Sequence, residues 1–151
     1  MNRQSYSKWR NATARYLKKK KVKIQRKSLT KLQTKINNAV RGLNARKNKT
    51  QEWSFEDVAE IVTWEIGCPC KYCGEIIKWN TWSLDHKKPV ARGGTNDYKN
   101  IQVIDKRCNR AKGGFSHKFF KDLIRFVSTS WPKYRKELLA RLSFGGSYHS
   151  N

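Results

Sequence analysis

Residues 70–112 read CKYCGEIIKWNTWSLDHKKPVARGGTNDYKNIQVIDKRCNRAK. β-branched and aromatic residues gather at 75–79, 82–86 and 101–104, and Gly74, Pro89, Gly93 and Gly94 punctuate them. That pattern predicts a knuckle followed by a hairpin. Asp105 to Gly113 has no breaker before the Gly113, Gly114 pair and predicts a short helix. Successive strand residues point to opposite faces, so Asp85 and His86 reach one site only where the strand ends and bends. Pro89 and the two glycines make such a bend plausible. On the helix, neighbours diverge by about 100°, so Cys108 and Asn109 face two different sites.

Outward from this stretch the periodicity is helical. Ser54 and Asp57 form a capping-box-like start for a helix over 55–66, with Phe55, Val58, Ala59, Ile61 and Val62 on one face. Leu29, Leu32, Ile36, Val40 and Leu43 predict a helix over 29–47, and Tyr6, Trp9, Thr13 and Tyr16 predict one over 5–17. Beyond the quoted stretch, Ser116 can cap a helix carrying Phe119, Phe120, Leu123, Ile124 and Val127. A last helix follows Pro132 with Tyr134, Leu138, Leu139 and Leu142 inward, before the tail GGSYHSN frays. The fold class is α+β.

Charge divides the chain. The formal net charge is +23, and residues 1–50 hold 17 Lys/Arg and no Asp or Glu. A polycation of this density repels itself unless it meets a polyanion, and nucleic-acid phosphate is the commonest one. The apolar stripe of the 29–47 helix needs a packing partner, either the carboxy-terminal core or the first helix; the alternative is a disordered basic arm. Residues 1–50 are therefore expected to be a basic helical DNA-binding extension, with the run Lys18, Lys19, Lys20 and Lys21 at its centre, and residues 51–151 the domain that carries the chemistry. No stretch approaches the roughly 18 apolar residues of a spanning helix, and the start MNRQSYSKWR lacks the apolar core of a secretory signal. No membrane partner and an intracellular location are expected. Cys68, Cys70, Cys73 and Cys108 have spacings that favour a metal knuckle over disulfides in a reducing compartment.

The ordered set Leu84-Asp85-His86, Pro89, Gly93-Gly94, Asn100 before Ile101-Gln102-Val103, and Cys108-Asn109-x-x-Lys112 resembles the HNH nucleases, a branch of the His-metal finger (ββα-metal) family. The resemblance covers roughly residues 68–114. It implies an HNH endonuclease that hydrolyses DNA phosphodiester bonds. His86 would be the general base, Asp85 and Asn109 the ligands of one divalent ion, and Asn100 the support that ties the hairpin loop. A carboxylate and a carboxamide oxygen suit Mg²⁺ or Mn²⁺ better than zinc; many relatives carry His where Asn109 stands. The resemblance also suggests a phage or mobile-element setting.

Relatives with zinc place two Cys-x-x-Cys pairs around the hairpin. Cys70 and Cys73 make the first pair here, but the position three before Cys108 is Asp105. A structural zinc is expected on Cys70, Cys73 and Cys108, with Asp105 or Cys68 as the fourth ligand. Arg107, Arg110 and Lys112 are either phosphate contacts or solvated helix charges. His117 is a candidate nucleic-acid contact, and neither it nor His149 belongs to the catalytic set. A non-catalytic, zinc-stabilised nucleic-acid-binding protein is the alternative reading, and RNA is not excluded as the substrate.

Overall fold

The computed structural model describes residues 3–46 and 51–144. Helix α1 (Arg3–Lys19) is longer at both ends than its aromatic spacing predicts. Tyr6 and Trp9 meet the Phe55 ring edge-on at 5.2 and 5.1 Å, and Tyr16 meets Trp64 at 5.5 Å. Lys21, at φ 58°, then turns the chain in the left-handed conformation. Helix α2 (Arg26–Asn44) starts one turn earlier than its stripe implies, and the expected end at residue 47 lies outside the described residues. Leu32 and Ile36 are completely buried.

Helix α3 (Phe55–Glu65) begins in the expected capping box. The Ser54 Oγ accepts from Asp57 N at 3.1 Å, and Asp57 Oδ2 accepts from Ser54 N at 2.8 Å. The two basic helices and α3 share one apolar cluster with the rest of the chain: Leu17, Leu32, Ile36 and Leu43 pack with Val58, Val62, Ile77, Trp82 and Ile104. Helices α1 and α2 are thus packed, not a waving arm.

Residues 75–79, expected to be β-rich, form no strand. Pro69 and Ile76 make a single antiparallel bridge, and the segment is spent on a tight knuckle in which Gly74 N donates to Cys70 O and Cys70 N to Glu75 O. Strand β1 (Trp82–His86) pairs antiparallel with β2 (Ile101–Asp105), placing Asp85 opposite Gln102 and His86 opposite Ile101. A two-stranded hairpin is marginal by itself. Here Trp82, Ile101, Val103 and Ile104 are buried in the common core. The connection doubles back tightly at Gly94, where an added Cβ would lie 1.9 Å from Lys88 O.

Helix α4 (Lys106–Lys112) follows directly, its amino terminus capped by Asp105, which accepts from Arg107 N at 2.9 Å. Ser116 caps α5 (His117–Ser130), and a 3₁₀ turn at Pro132–Tyr134 leads into α6 (Arg135–Phe144), which packs on α4. The architecture is α+β: a ββα unit flanked by helices. One inward assignment is corrected: Tyr134 lies on the surface. On α5, Phe120, Ile124 and Val127 are buried and Phe119 turns outward against Phe115. The tail GGSYHSN, with His149, falls outside the described residues.

Candidate functional site

Asp85 and His86 are the last two residues of β1, before the Pro89–Thr95 loop, Asp85 turning to Gln102 and Lys112 and His86 to Asn96. Asn100 holds that loop. Its Nδ2 donates to Thr95 O at 2.7 Å and Lys88 O at 3.0 Å, and its Oδ1 accepts from Lys88 N at 2.8 Å. The side chain touches neither Asp85 nor His86, so its action is on the backbone that carries them.

His86 is oriented by a residue the sequence reading did not single out. Its Nε2 lies 3.0 Å from Asn96 Oδ1. Asn96 is wholly buried, and its Nδ2 donates to Leu43 O on α2 at 3.0 Å, so its oxygen must face the imidazole. His86 therefore donates through Nε2–H, and Nδ1 carries the lone pair. Trp53 Nε1 donates to Asn96 O at 2.9 Å and closes the clamp. Burial lowers the imidazole below its ordinary value of 6.5, with Arg46 and Lys112 adding to the effect and Asn96 opposing it. The result is a neutral base near neutral pH. The available sequence signal was Asn96 just past the Gly-Gly pair, but such asparagines are common turn residues.

Asp85 is buried, with Lys112 Nζ 2.8 Å from Oδ1 and Gln102 Nε2 2.7 Å from Oδ2. Lys112 is 1% exposed and also donates to His86 O at 2.9 Å. A surface phosphate contact by Lys112 is thereby corrected: the ammonium sits inside, neutralising a carboxylate that burial without a partner would penalise heavily. Asn109 anchors its Nδ2 on Ser83 Oγ at 2.8 Å and Leu84 O at 3.1 Å, which leaves its carbonyl oxygen as the atom a cation could use. Asp85 and Asn109 thus offer oxygen donors from a carboxylate and a carboxamide, a set that fits a hard divalent cation.

On the other side of α4, Cys70, Cys73 and Cys108 bring their sulfurs within 4.8 Å of one another, the donor set of a zinc site. No disulfide links the four cysteines. Hydrogen bonds from Cys108 and Cys73 pull the Cys70 thiol well below the usual thiol range, so one thiolate is favoured before any ion binds. Neither expected fourth ligand joins the cluster. Asp105 is committed to the α4 cap and to Arg107 Nε at 3.1 Å, and Cys68 Sγ accepts from Lys20 Nζ at 3.3 Å.

The basic candidates separate in the same way. Lys18, Lys19 and Lys21 are exposed, whereas Lys20 also donates to Ile66 O at 3.2 Å and clamps α1 to the end of α3. Arg107 and Arg110 are exposed, Arg107 being paired with Glu75 at 2.6 Å.

Residues 70–115 match the family described as HNH endonuclease. This segment is an HNH endonuclease domain. Among curated proteins, the chain is 31% identical over 110 residues to the CRISPR-associated endonuclease Cas9 of Actinomyces naeslundii, covering 57% of this chain and 10% of that protein. It is 28% identical over 88 residues to the Cas9 of Corynebacterium diphtheriae, covering 58% of this chain and 7% of the relative. The chain thus spans a tenth or less of the relatives it matches. No solved structure matches. Among the described residues no helix is long and apolar enough to cross a membrane.

Proposed function

We propose that this chain is a metal-dependent endonuclease that hydrolyses DNA phosphodiester bonds, with His86 as the general base and Asp85 and Asn109 as ligands of one Mg²⁺ or Mn²⁺ ion. The observation that carries the reading is the clamp on His86, which leaves Nδ1 unprotonated on the residue that follows Asp85 at the end of β1.

An ion held by Asp85 and Asn109 would supply charge neutralisation on the scissile phosphate and on the departing 3′ oxygen. His86 Nδ1 takes the proton from the attacking water, and its Nε2–H stays on Asn96. Asn100 keeps the loop that bears His86 from shifting. Asp85 and Asn109 hold oxygen donors in place from a strand and a helix, which are stiffer supports than a loop. Cys70, Cys73 and Cys108 would hold a structural Zn²⁺ that pins the knuckle to α4. Residues 1–50 serve the domain at 51–151 as a basic grip on the duplex, Lys18, Lys19 and Lys21 being its exposed members, with Arg107 and Arg110 as further phosphate contacts. The site works inside the cell.

Nicking of supercoiled plasmid with Mg²⁺, run beside His86→Ala, tests this. The expected result is a loss on the order of a hundredfold or more in the variant, consistent with removal of a general base. Equal activity in the two proteins, or none with any divalent ion, overturns the proposal and leaves a nucleic-acid-binding protein without catalysis. A parallel RNA duplex ranks the two sugars.

A further inference from the structure

A cleft of about 640 Å³ opens beside the Asp85–His86 hairpin, floored by Tyr72 and His117 and walled along α5 by Lys118, Lys121 and Arg125, with Asp122 as an acidic member. His117, Lys121 and Arg125 are spaced by four residues and form one stripe, each step rising about 6 Å along the helix. No described residue makes an ion pair with Lys118, Lys121 or Arg125. Such a stripe is commonly no more than a solvated helix face. Two further observations separate this one from that case.

The first is a hydrogen-bond relay that joins the cleft to the Asp85 carboxylate. Asp85 Oδ2 accepts from Gln102 Nε2 at 2.7 Å, and the same Nε2 donates to Tyr72 Oη at 2.9 Å. Because a carboxylate accepts only, the Gln102 amide orientation is determined, and the Tyr72 oxygen is an acceptor from it. The Tyr72 hydrogen is then directed to His117 Nδ1, 2.8 Å away. A neutral His117 must carry its own proton on Nε2, so the Asp85 charge sets His117 as an N–H donor in a cleft rich in cations. Burial and the nearby charges of Lys121 and Lys87 lower the His117 imidazole from its ordinary value, which keeps it neutral.

The second observation is connection. His117 N donates to Lys87 O at 2.6 Å, immediately after His86, so the cleft floor and the end of β1 are directly bonded. The stripe is thereby held at a fixed place beside the end of β1, where a strand passing Asp85 and His86 can continue onto it.

We infer that the Tyr72–His117 cleft on α5 binds backbone phosphates of the nucleic acid flanking the scissile bond, with His117 Nε2–H, Lys121 and Arg125 as its phosphate contacts. This rests on the reading of nucleic acid as the substrate and adds where the strand runs. Mutual repulsion of the stripe is relieved by the polyanion it holds. The contacts are to phosphate, so they position the strand and read no bases.

The test uses the full chain carrying His86→Ala, so that substrate survives, and a short fluorescein-labelled DNA duplex in EDTA, with anisotropy recorded across a KCl series. Adding Lys121→Glu and Arg125→Glu is expected to weaken binding by roughly tenfold or more and to reduce the salt slope by about two, because two phosphates keep their counterions. Lys78→Glu with Lys106→Glu is the charge-matched control on exposed positions away from the cleft, expected to show only a small uniform loss. In ¹⁵N-imidazole spectra of the full chain, His117 is expected as the Nε2–H tautomer, its Nε2 resonance moving when duplex is added. An unchanged affinity and slope in the cleft variant, equal losses in the control, an Nδ1–H tautomer, or no binding by the parent would each overturn the inference. An RNA duplex of the same sequence used as competitor reports whether the sugar matters. Binding is read without cleavage, so the two readings fail separately. Normal nicking by the wild-type protein with an unaffected cleft variant sinks the cleft alone; cleft-dependent binding by a protein that never nicks sinks the hydrolase.

Discussion

At His86, on which the proposed catalysis turns, the decisive partner lies ten positions along the chain and on the loop, not in the motif. Asn96 presents its oxygen to His86 because its nitrogen is already used by Leu43 O, so one buried amide sets the tautomer of the base. Asn96→Ala should lower the nicking rate by roughly ten- to a hundredfold with little change in KM, since the substrate is not touched; the effects of lost orientation run to that size. A drop confined to thermal stability, with kcat intact, would contradict this. Lys112 poses the opposite problem, a buried cation beside a proposed metal ligand. Lys112→Met leaves the Asp85 carboxylate buried and unpaired, at a cost of about 3–5 kcal/mol. A divalent ion on Asp85 offsets that loss, so Mg²⁺ should raise the melting temperature of the variant more than that of the wild type. Calorimetry with and without Mg²⁺ checks it, and equal shifts would place the ion elsewhere.

At the scale of elements, α4 carries two separate duties on adjacent residues. Cys108 turns to the sulfur cluster and Asn109 to β1, as the helical divergence between neighbours requires. That much follows from adjacency in sequence. The fourth zinc ligand does not, because Asp105 is taken by the helix cap and Cys68 by Lys20 and the α3 end. Cys73→Ser should therefore abolish zinc binding in protein purified without chelator, while Asp105→Asn and Cys68→Ser should keep one zinc per chain by metal analysis. Loss of zinc in either of the last two variants would return that residue to the ligand set. The 75–79 segment shows a related limit. Its Glu-Ile-Ile pattern suits a strand, yet closing the knuckle on Cys70 and Cys73 consumes its backbone bonds locally.

Across the whole molecule, the basic amino-terminal helices belong to the common core and are not an appendage. Lys35 of α2 shows the consequence: it donates to Trp82 O at the start of β1 and lies 4.2 Å from the Trp82 ring centroid. Burial, with Lys106 adding to it, lowers its ammonium to about 8. Its folded-state value is thus below the unfolded one of 10.5. Its contribution to stability is fully present above 10.5 and is lost as pH falls through about 8. Between those values the melting temperature of the wild type should rise with pH relative to Lys35→Met, and parallel curves would rule the linkage out.

Local pattern in the chain is enough for the ββα order, the amphipathic helices and the three-cysteine knuckle, because each rests on periodicity, turn chemistry or close spacing, whereas the Asp85, His86, Asn100 and Asn109 set is what the resemblance to the HNH nucleases implies. The Asn96 clamp, the burial of Lys112 on Asp85, the diversion of Lys20, Asp105 and Cys68, and the relay from Asp85 to His117 belong to the folded molecule alone. They depend on which polar atom finds which partner once the core has closed. The two partners of the Asn96 side chain, His86 at a separation of 10 residues and Leu43 at 53, leave no mark in a local pattern.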